Sequence, residues 1–161
     1  MKTDKLKKVL IALDYHKSAL KVAETGYALA KSMNAEVTLL HIISDPLYYA
    51  SVENMPIMGL TDSLGTNPLQ FDPDNRLKEV SQHFLDKIKL HFEDDSINTV
   101  LKEGEFAETI LNTANELHAD IIVLGSHSRK WLDDILLGSV TNQVLRQTHR
   151  PLFIVPTKKQ D

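Results

Sequence analysis

The residues best suited to chemistry lie in one stretch near the carboxyl end of the chain. Gly125-Ser126-His127-Ser128-Arg129 leaves an apolar run, Trp131 to Leu137 follows, and Gly138-Ser139-Val140 opens an amphipathic segment. A glycine leaving a strand lets the main chain approach a ligand closely. A helix beginning at Gly138-Ser139 would offer unpaired amide donors and the positive end of its dipole. Together they suit a phosphate group, and Arg129 and Lys130 add positive charge beside it. From spacing alone, the same residues also read as an ordinary turn followed by a helix start.

Other chemistry-bearing side chains are more scattered. Asp14, His16, His41 and His127 fall where strands would end, so a metal site or a general base can be drawn from them. No His-x-x-x-His or Glu-x-x-His spacing reinforces that reading, and loop imidazoles commonly make local hydrogen bonds. Asp14 also reads as a loop carboxylate near the start of a helix. His83 and His91 flank an apolar stripe and read as surface residues. Asp133 and Asp134 are adjacent and would diverge on a helix, which makes a poor acid/base pair. Trp131, with Leu132, Ile135 and Leu136, reads as packing under the loop or as an exposed patch for a partner. There is no cysteine, which excludes disulfides, thiolate nucleophiles and Cys-based zinc sites. No Gly-x-Ser-x-Gly elbow or Gly-Lys-Ser/Thr phosphate loop occurs either, so efficient catalysis is not expected.

The elements that would position these residues alternate regularly. Lys7 to Leu13 is a short apolar run, as in a strand buried on both faces. A helix follows, with Ala19, Val22, Ala23, Gly26, Tyr27, Ala30 and Met33 at three- and four-residue spacing and Ser18 as its expected amino-terminal cap. Val37 to Ile43 reads as a second strand. Asp74 opens an amphipathic helix carrying Leu77, Val80, Phe84, Leu85, Ile88 and Phe92. A strand from Ile97 to Lys102 ends at Gly104. A third helix runs from Phe106 to His118, a fourth strand spans Asp120 to Leu124, a helix covers Ser139 to Thr148, and Leu152 to Val155 forms the last strand. This alternation predicts an α/β fold, a mainly parallel sheet with helices on both faces. Ligands of such sheets bind outside the carboxyl ends of the strands, where the strand order reverses. Between Ser44 and Pro73 the periodicity disappears, and Pro46, Pro56, Gly59, Gly65 and Pro68 mark a long loop.

Several of these residues in order resemble the universal stress protein family. Gly125-Ser126-His127-Ser128, nine intervening residues and then Gly138-Ser139-Val140 is similar to its Gly-x-x-Gly, nine residues, Gly-Ser/Thr signature. Asp14, His41-Ile42, Gly104 and the terminal run Pro151 to Pro156 also stand where that family has such residues. The resemblance implies an open, Rossmann-like five-stranded parallel sheet of order 3-2-1-4-5, with strands one and four adjacent at the switch point. It implies a site for ATP or AMP, with Mg2+ accompanying ATP. Asp14 and Ile42 would border adenine and ribose, Gly125 and Ser128 the ribose-phosphate turn, and Gly138, Ser139 and Val140 the phosphates. Ser128 replaces the second motif glycine. A side chain there costs about 1 kcal/mol if the turn needs a positive φ, yet its hydroxyl can also bond a phosphate. The resemblance further implies a homodimer through the last strand, Leu152, Phe153, Ile154, Val155 and Pro156, which would cover an apolar sheet edge.

With 161 residues, 42% of them hydrophobic and 25% charged, the chain is expected to form one domain over 1–161, with a loop insertion at 45–73. A net charge of −4 gives no reason to expect a nucleic acid or an anionic membrane as partner. Val9 to Leu13 is too short for a signal-peptide core, so a cytoplasmic location is expected. Three functions follow from these residues: a nucleotide-responsive stress sensor or adaptor with an unknown protein partner, a dimeric scaffold that does not bind nucleotide, and a slow ATP hydrolase.

Overall fold

Runs dense in branched aliphatic side chains build the sheet. The strands β1 (Lys8–Leu13), β2 (Glu36–Ile43), β3 (Asn98–Glu103), β4 (Ile121–Gly125) and β5 (Leu152–Val155) alternate with the helices α1 (Ala19–Ser32), α2 (Pro73–His91), α3 (Phe106–Glu116) and α4 (Ser139–Gln147). They are drawn from a computed structural model that describes residues 7–44, 73–126 and 138–157. All pairings are parallel and the order is β3-β2-β1-β4-β5, as the family resemblance implies. From β1 the chain proceeds to one side through β2 and β3, then returns to the other side with β4 and β5. That reversal places the two helix pairs on opposite faces.

Alternation along the buried strands divides the core in two. Val9, Ile11, Leu39 and Val123 face Val22, Ala23 and Ala30 of α1 and Leu85 and Ile88 of α2. Leu10, Leu40, Ile122 and Leu124 face Ala107, Ile110 and Ala114 of α3 and Val144 of α4. Sheet residues are therefore apolar at successive positions, because both faces are covered.

Local signals set the element ends, and some differ from the sequence reading. Ser18 occupies the amino-terminal cap position of α1, but at φ −82°, ψ −4° its backbone is already helical and its side chain makes no cap bond. Its hydroxyl pairs with His16 Nδ1 at 2.7 Å instead. Glu105 takes the capping role at α3, accepting from Ala107 N at 3.2 Å and Glu108 N at 2.8 Å. Before it, Gly104 has φ +145°, and a Cβ there would lie 2.6 Å from Thr109 Oγ1. Its N–H donates to Ile43 C=O at 3.0 Å and ties the end of β3 to β2. The third helix stops at Glu116 rather than His118, whose φ of 53° is left-handed. The expected loop insertion at 45–73 lies outside the described residues except for Pro73, where α2 begins one residue before Asp74. No described helix is long and apolar enough to cross a membrane.

Candidate functional site

Strand register brings the predicted residues to one edge. Ile11 pairs with Val123, and carrying that register two residues further sets Leu13 opposite Gly125. On the other side Leu13 pairs with His41. Asp14, Ile42 and the Gly125-Ser126 turn therefore follow at the same level, at the carboxyl edge and beside the switch point. Asp14 Oδ1 accepts from His16 N at 3.2 Å, so the carboxylate shapes its own turn. The Ile42 side chain is buried on the α3/α4 face, so it borders the edge as part of an apolar floor.

The start of α4 is fastened to the same edge. Gly138 is its cap residue, with an extended backbone at φ −63°, ψ 159°, and the first helical bond runs from Asn142 N to Gly138 C=O at 2.9 Å. Gly138 carries no side chain that could cap. The amides of Ser139, Val140 and Thr141 thus have no partner among the described residues, and the positive end of the helix dipole coincides with them. Ser139 is exposed and Val140 packs partly against the α3/α4 core. Thr141 Oγ1 donates to Gly125 C=O at 2.9 Å, Gly138 N to Ser126 C=O at 3.2 Å, and Thr157 N to Ser126 Oγ at 3.0 Å. The ends of β4 and β5 and the start of α4 are joined by these three bonds.

Thr141, Ser126 and Thr157 were not among the residues that sequence reasoning assigned to the site. A threonine in the first turn of an amphipathic helix carries no mark of an anchor until its strand partner is known. Ser128 and Arg129 lie outside the described residues, as do His127, Trp131, Asp133 and Asp134. The structure thus brings Asp14, Ile42, Gly125, Gly138, Ser139 and Val140 to one edge.

His41 is not a loop histidine. It is 2% exposed, with its ring 4.3 Å from that of Tyr15 and 5.4 Å from that of Phe84. The Tyr15 hydroxyl in turn bonds Ser81 Oγ of α2 at 2.6 Å. His41 Nδ1 lies 2.8 Å from Leu13 C=O, so it carries the proton, and Nε2 has no partner among the described residues. Burial pushes its pKa below the ordinary value, against smaller opposing effects from Leu13 C=O and Asp14. The imidazole is neutral at pH 7, but its ring is enclosed by Tyr15 and Phe84, which keeps it from the reach of a metal ion or a substrate proton. No cluster of His, Cys, Asp or Glu that could hold a metal occurs among the described residues.

The unfolded chain, with a histidine pKa of about 6.5, takes up this proton before the folded chain does. Stability is therefore complete above that pH and is lost as pH falls below it, by up to about 1.4 kcal/mol per pH unit for one proton. Urea midpoints measured between pH 7 and 5 are expected to fall more steeply for the wild type than for His41→Gln. Equal slopes would show that the buried imidazole does not govern the loss.

A doubly wound parallel sheet with an uncapped helix start at its carboxyl edge defines a class of α/β folds. Within that class the assignment is direct: the model of the universal stress protein family matches residues 5–156, and this chain belongs to that family. Universal stress protein MJ0531 of Methanocaldococcus jannaschii is 30% identical over 157 residues, covering 96% of this chain and 85% of that protein. Universal stress protein MJ0577 of the same organism is 29% identical over 160 residues, covering 94% of this chain and 96% of the relative. The solved structure of MJ0577 superposes with a TM-score of 0.70 at 28% identity, over 96% of this chain and 98% of that one. A universal stress protein solved in complex with cAMP shares the fold, with a TM-score of 0.63 at 18% identity over 96% of this chain and 100% of the other.

Proposed function

We propose that this chain is a nucleotide-responsive stress protein that binds ATP or AMP at the carboxyl edge of its sheet, in the cytosol. The observation that carries this reading is the uncapped start of α4, whose Ser139, Val140 and Thr141 amides stand at the switch point beside Gly125. Phosphates would rest on Gly138, Ser139 and Val140, with the Ser139 hydroxyl as a further donor. Adenine and ribose would lie along Asp14 and Ile42, the carboxylate accepting from ribose hydroxyls. Ser128 and Arg129 would complete the phosphate turn. A universal stress protein of the same fold was solved in complex with cAMP, which is itself an adenine nucleotide. Mg2+, if ATP brings it, would be carried chiefly by the phosphates. Ligand occupancy would alter the surface offered to a protein partner.

Calorimetric titration with ATP and AMP, with and without magnesium, tests the reading, together with mass spectrometry of the small molecules released on denaturation. Micromolar binding or co-purified nucleotide supports it. The absence of both would sink it and leave a dimeric scaffold. ATP turnover above that of a Ser139→Ala control would make the protein a slow hydrolase.

The homodimer is proposed on the edge position of β5. The bonds from Ile122 N to Pro151 C=O and from Ser126 N to Val155 C=O fix the phase of the β4–β5 ladder, leaving Ile154 N–H and C=O pointing outward. Phe153 is 37% exposed beside them. Antiparallel pairing of Leu152, Phe153, Ile154, Val155 and Pro156 with a second copy would satisfy that edge. Ile154→Pro removes an outward donor without breaking the inner ladder. It should sediment as a monomer while the wild type sediments as a dimer, and equal masses would refute the interface.

A further inference from the structure

The carbonyl of Ser126 stands between two amide donors. Along the β4–β5 pair, Ile122 N–H donates to Pro151 C=O at 3.0 Å and Ser126 N–H to Val155 C=O at 2.9 Å. Parallel pairing repeats in steps of two, so the next rung would run from Thr157 N–H to Ser126 C=O. That rung is replaced. Thr157 N–H donates to Ser126 Oγ at 3.0 Å, the two hydroxyls are 3.4 Å apart, and Ser126 C=O accepts from Gly138 N–H at 3.2 Å. The serine hydroxyl stands in for its own carbonyl in the sheet and so releases that carbonyl to the start of α4.

We infer that Ser126 is a positioning residue that couples the anion-binding start of α4 to the edge strand, an inference that rests on the nucleotide reading above. A phosphate seated on α4 competes for Gly138 N–H. The phosphate prevails, because a charge-assisted bond is shorter and roughly twice as strong as a neutral one, and the bond displaced is long at 3.2 Å. Ser126 C=O, deprived of its donor, then takes Thr157 N–H, which is already bonded to the same residue. The ladder gains its missing rung and β5 is extended past Val155. Two arrangements are thereby defined. In one, Gly138 holds the carbonyl and the hydroxyl holds Thr157. In the other, the ligand holds Gly138 and the carbonyl holds Thr157. Ordering of the strand end by a second copy would raise ligand affinity by the same factor as ligand raises pairing.

Isotope-labelled full-length protein tests this by nuclear magnetic resonance, with ATP as the probe. In the wild type, ATP should produce a through-hydrogen-bond coupling between Thr157 N and the residue 126 carbonyl and slow Thr157 amide exchange roughly fivefold. In Ser126→Ala the coupling should be present before ATP is added, and Thr157 exchange should not respond to it. ATP should also bind this variant roughly fivefold more tightly, since Gly138 N–H is already released. Ser126→Thr keeps the hydroxyl and should behave as the wild type. If ATP shifts the Ser139 and Val140 amides while Thr157 is unmoved in the wild type, or responds equally in Ser126→Ala, the coupling is overturned and the nucleotide reading stands. If ATP shifts no amide of α4 in either protein, the nucleotide reading falls and the coupling with it.

Discussion

Ser139→Pro is expected to weaken ATP binding by about 100- to 10,000-fold while leaving the urea midpoint within error of the wild type. Proline removes both donors that Ser139 would give a phosphate, its N–H and its hydroxyl, and a hydrogen bond to a charged group contributes about 1.5–3 kcal/mol. The helix itself tolerates the change. Ser139 is the first helical residue, where the amide has no intrahelical partner and the fixed φ of proline matches the helix. The preceding residue must be extended, and Gly138 already is, at ψ 159°. Calorimetric titration beside urea unfolding separates the two effects. Undiminished affinity would mean that phosphate does not sit on this helix start, whatever else binds.

The second large effect lies beneath the site. Gly26 of α1 packs closely over the centre of the sheet. A Cβ added there would lie 2.7 Å from Ile11 Cδ1 and 3.1 Å from Val123 Cγ1. Both neighbours are 0% exposed, so neither can swing into solvent. Gly26→Leu should destabilise the fold by about 3 kcal/mol, the upper part of the usual range for overpacking, read as a lower urea midpoint at an unchanged slope. Gly26→Ala separates two opposing effects. Helix propensity favours alanine by about 1 kcal/mol, while the close contact needs Ile11 Cδ1 to rotate away. A net change near zero is expected. A Gly26→Leu loss below about 1 kcal/mol would show that α1 is not seated so closely.

Much of this molecule was legible in its residues for a simple reason. A strand buried on both faces is apolar at most of its positions, and Val9 to Leu13, Val37 to Ile43 (with Thr38 and His41 as the exceptions) and Ile121 to Leu124 announce themselves in that way. The helices between them carry one apolar stripe each, and alternation of the two patterns implies a parallel sheet. The start of α4 was legible too, because glycine followed by serine opens an amphipathic period at Gly138. Cap chemistry was harder to read. Ser18 has the right residue type but a helical backbone, while Glu105 has an unusual type and makes both bonds. Which side chain reaches an amide depends on backbone angles that composition does not encode.

By itself, the sequence determined the α/β class, the family and the candidate edge residues, because these follow from periodicity and from motifs that are local in the chain. Tertiary structure alone decided what meets at that edge. The β1–β4 register levels Asp14 with the Gly125-Ser126 turn, and Thr141 fastens α4 to Gly125 across 16 positions. Ser126 shares its two oxygens between Gly138 and Thr157. His41 changes from a candidate ligand to a buried neutral ring only once Tyr15 and Phe84 close over it. Such partners are far apart in sequence, so their pairing is set by strand register and helix packing, and no local pattern carries it.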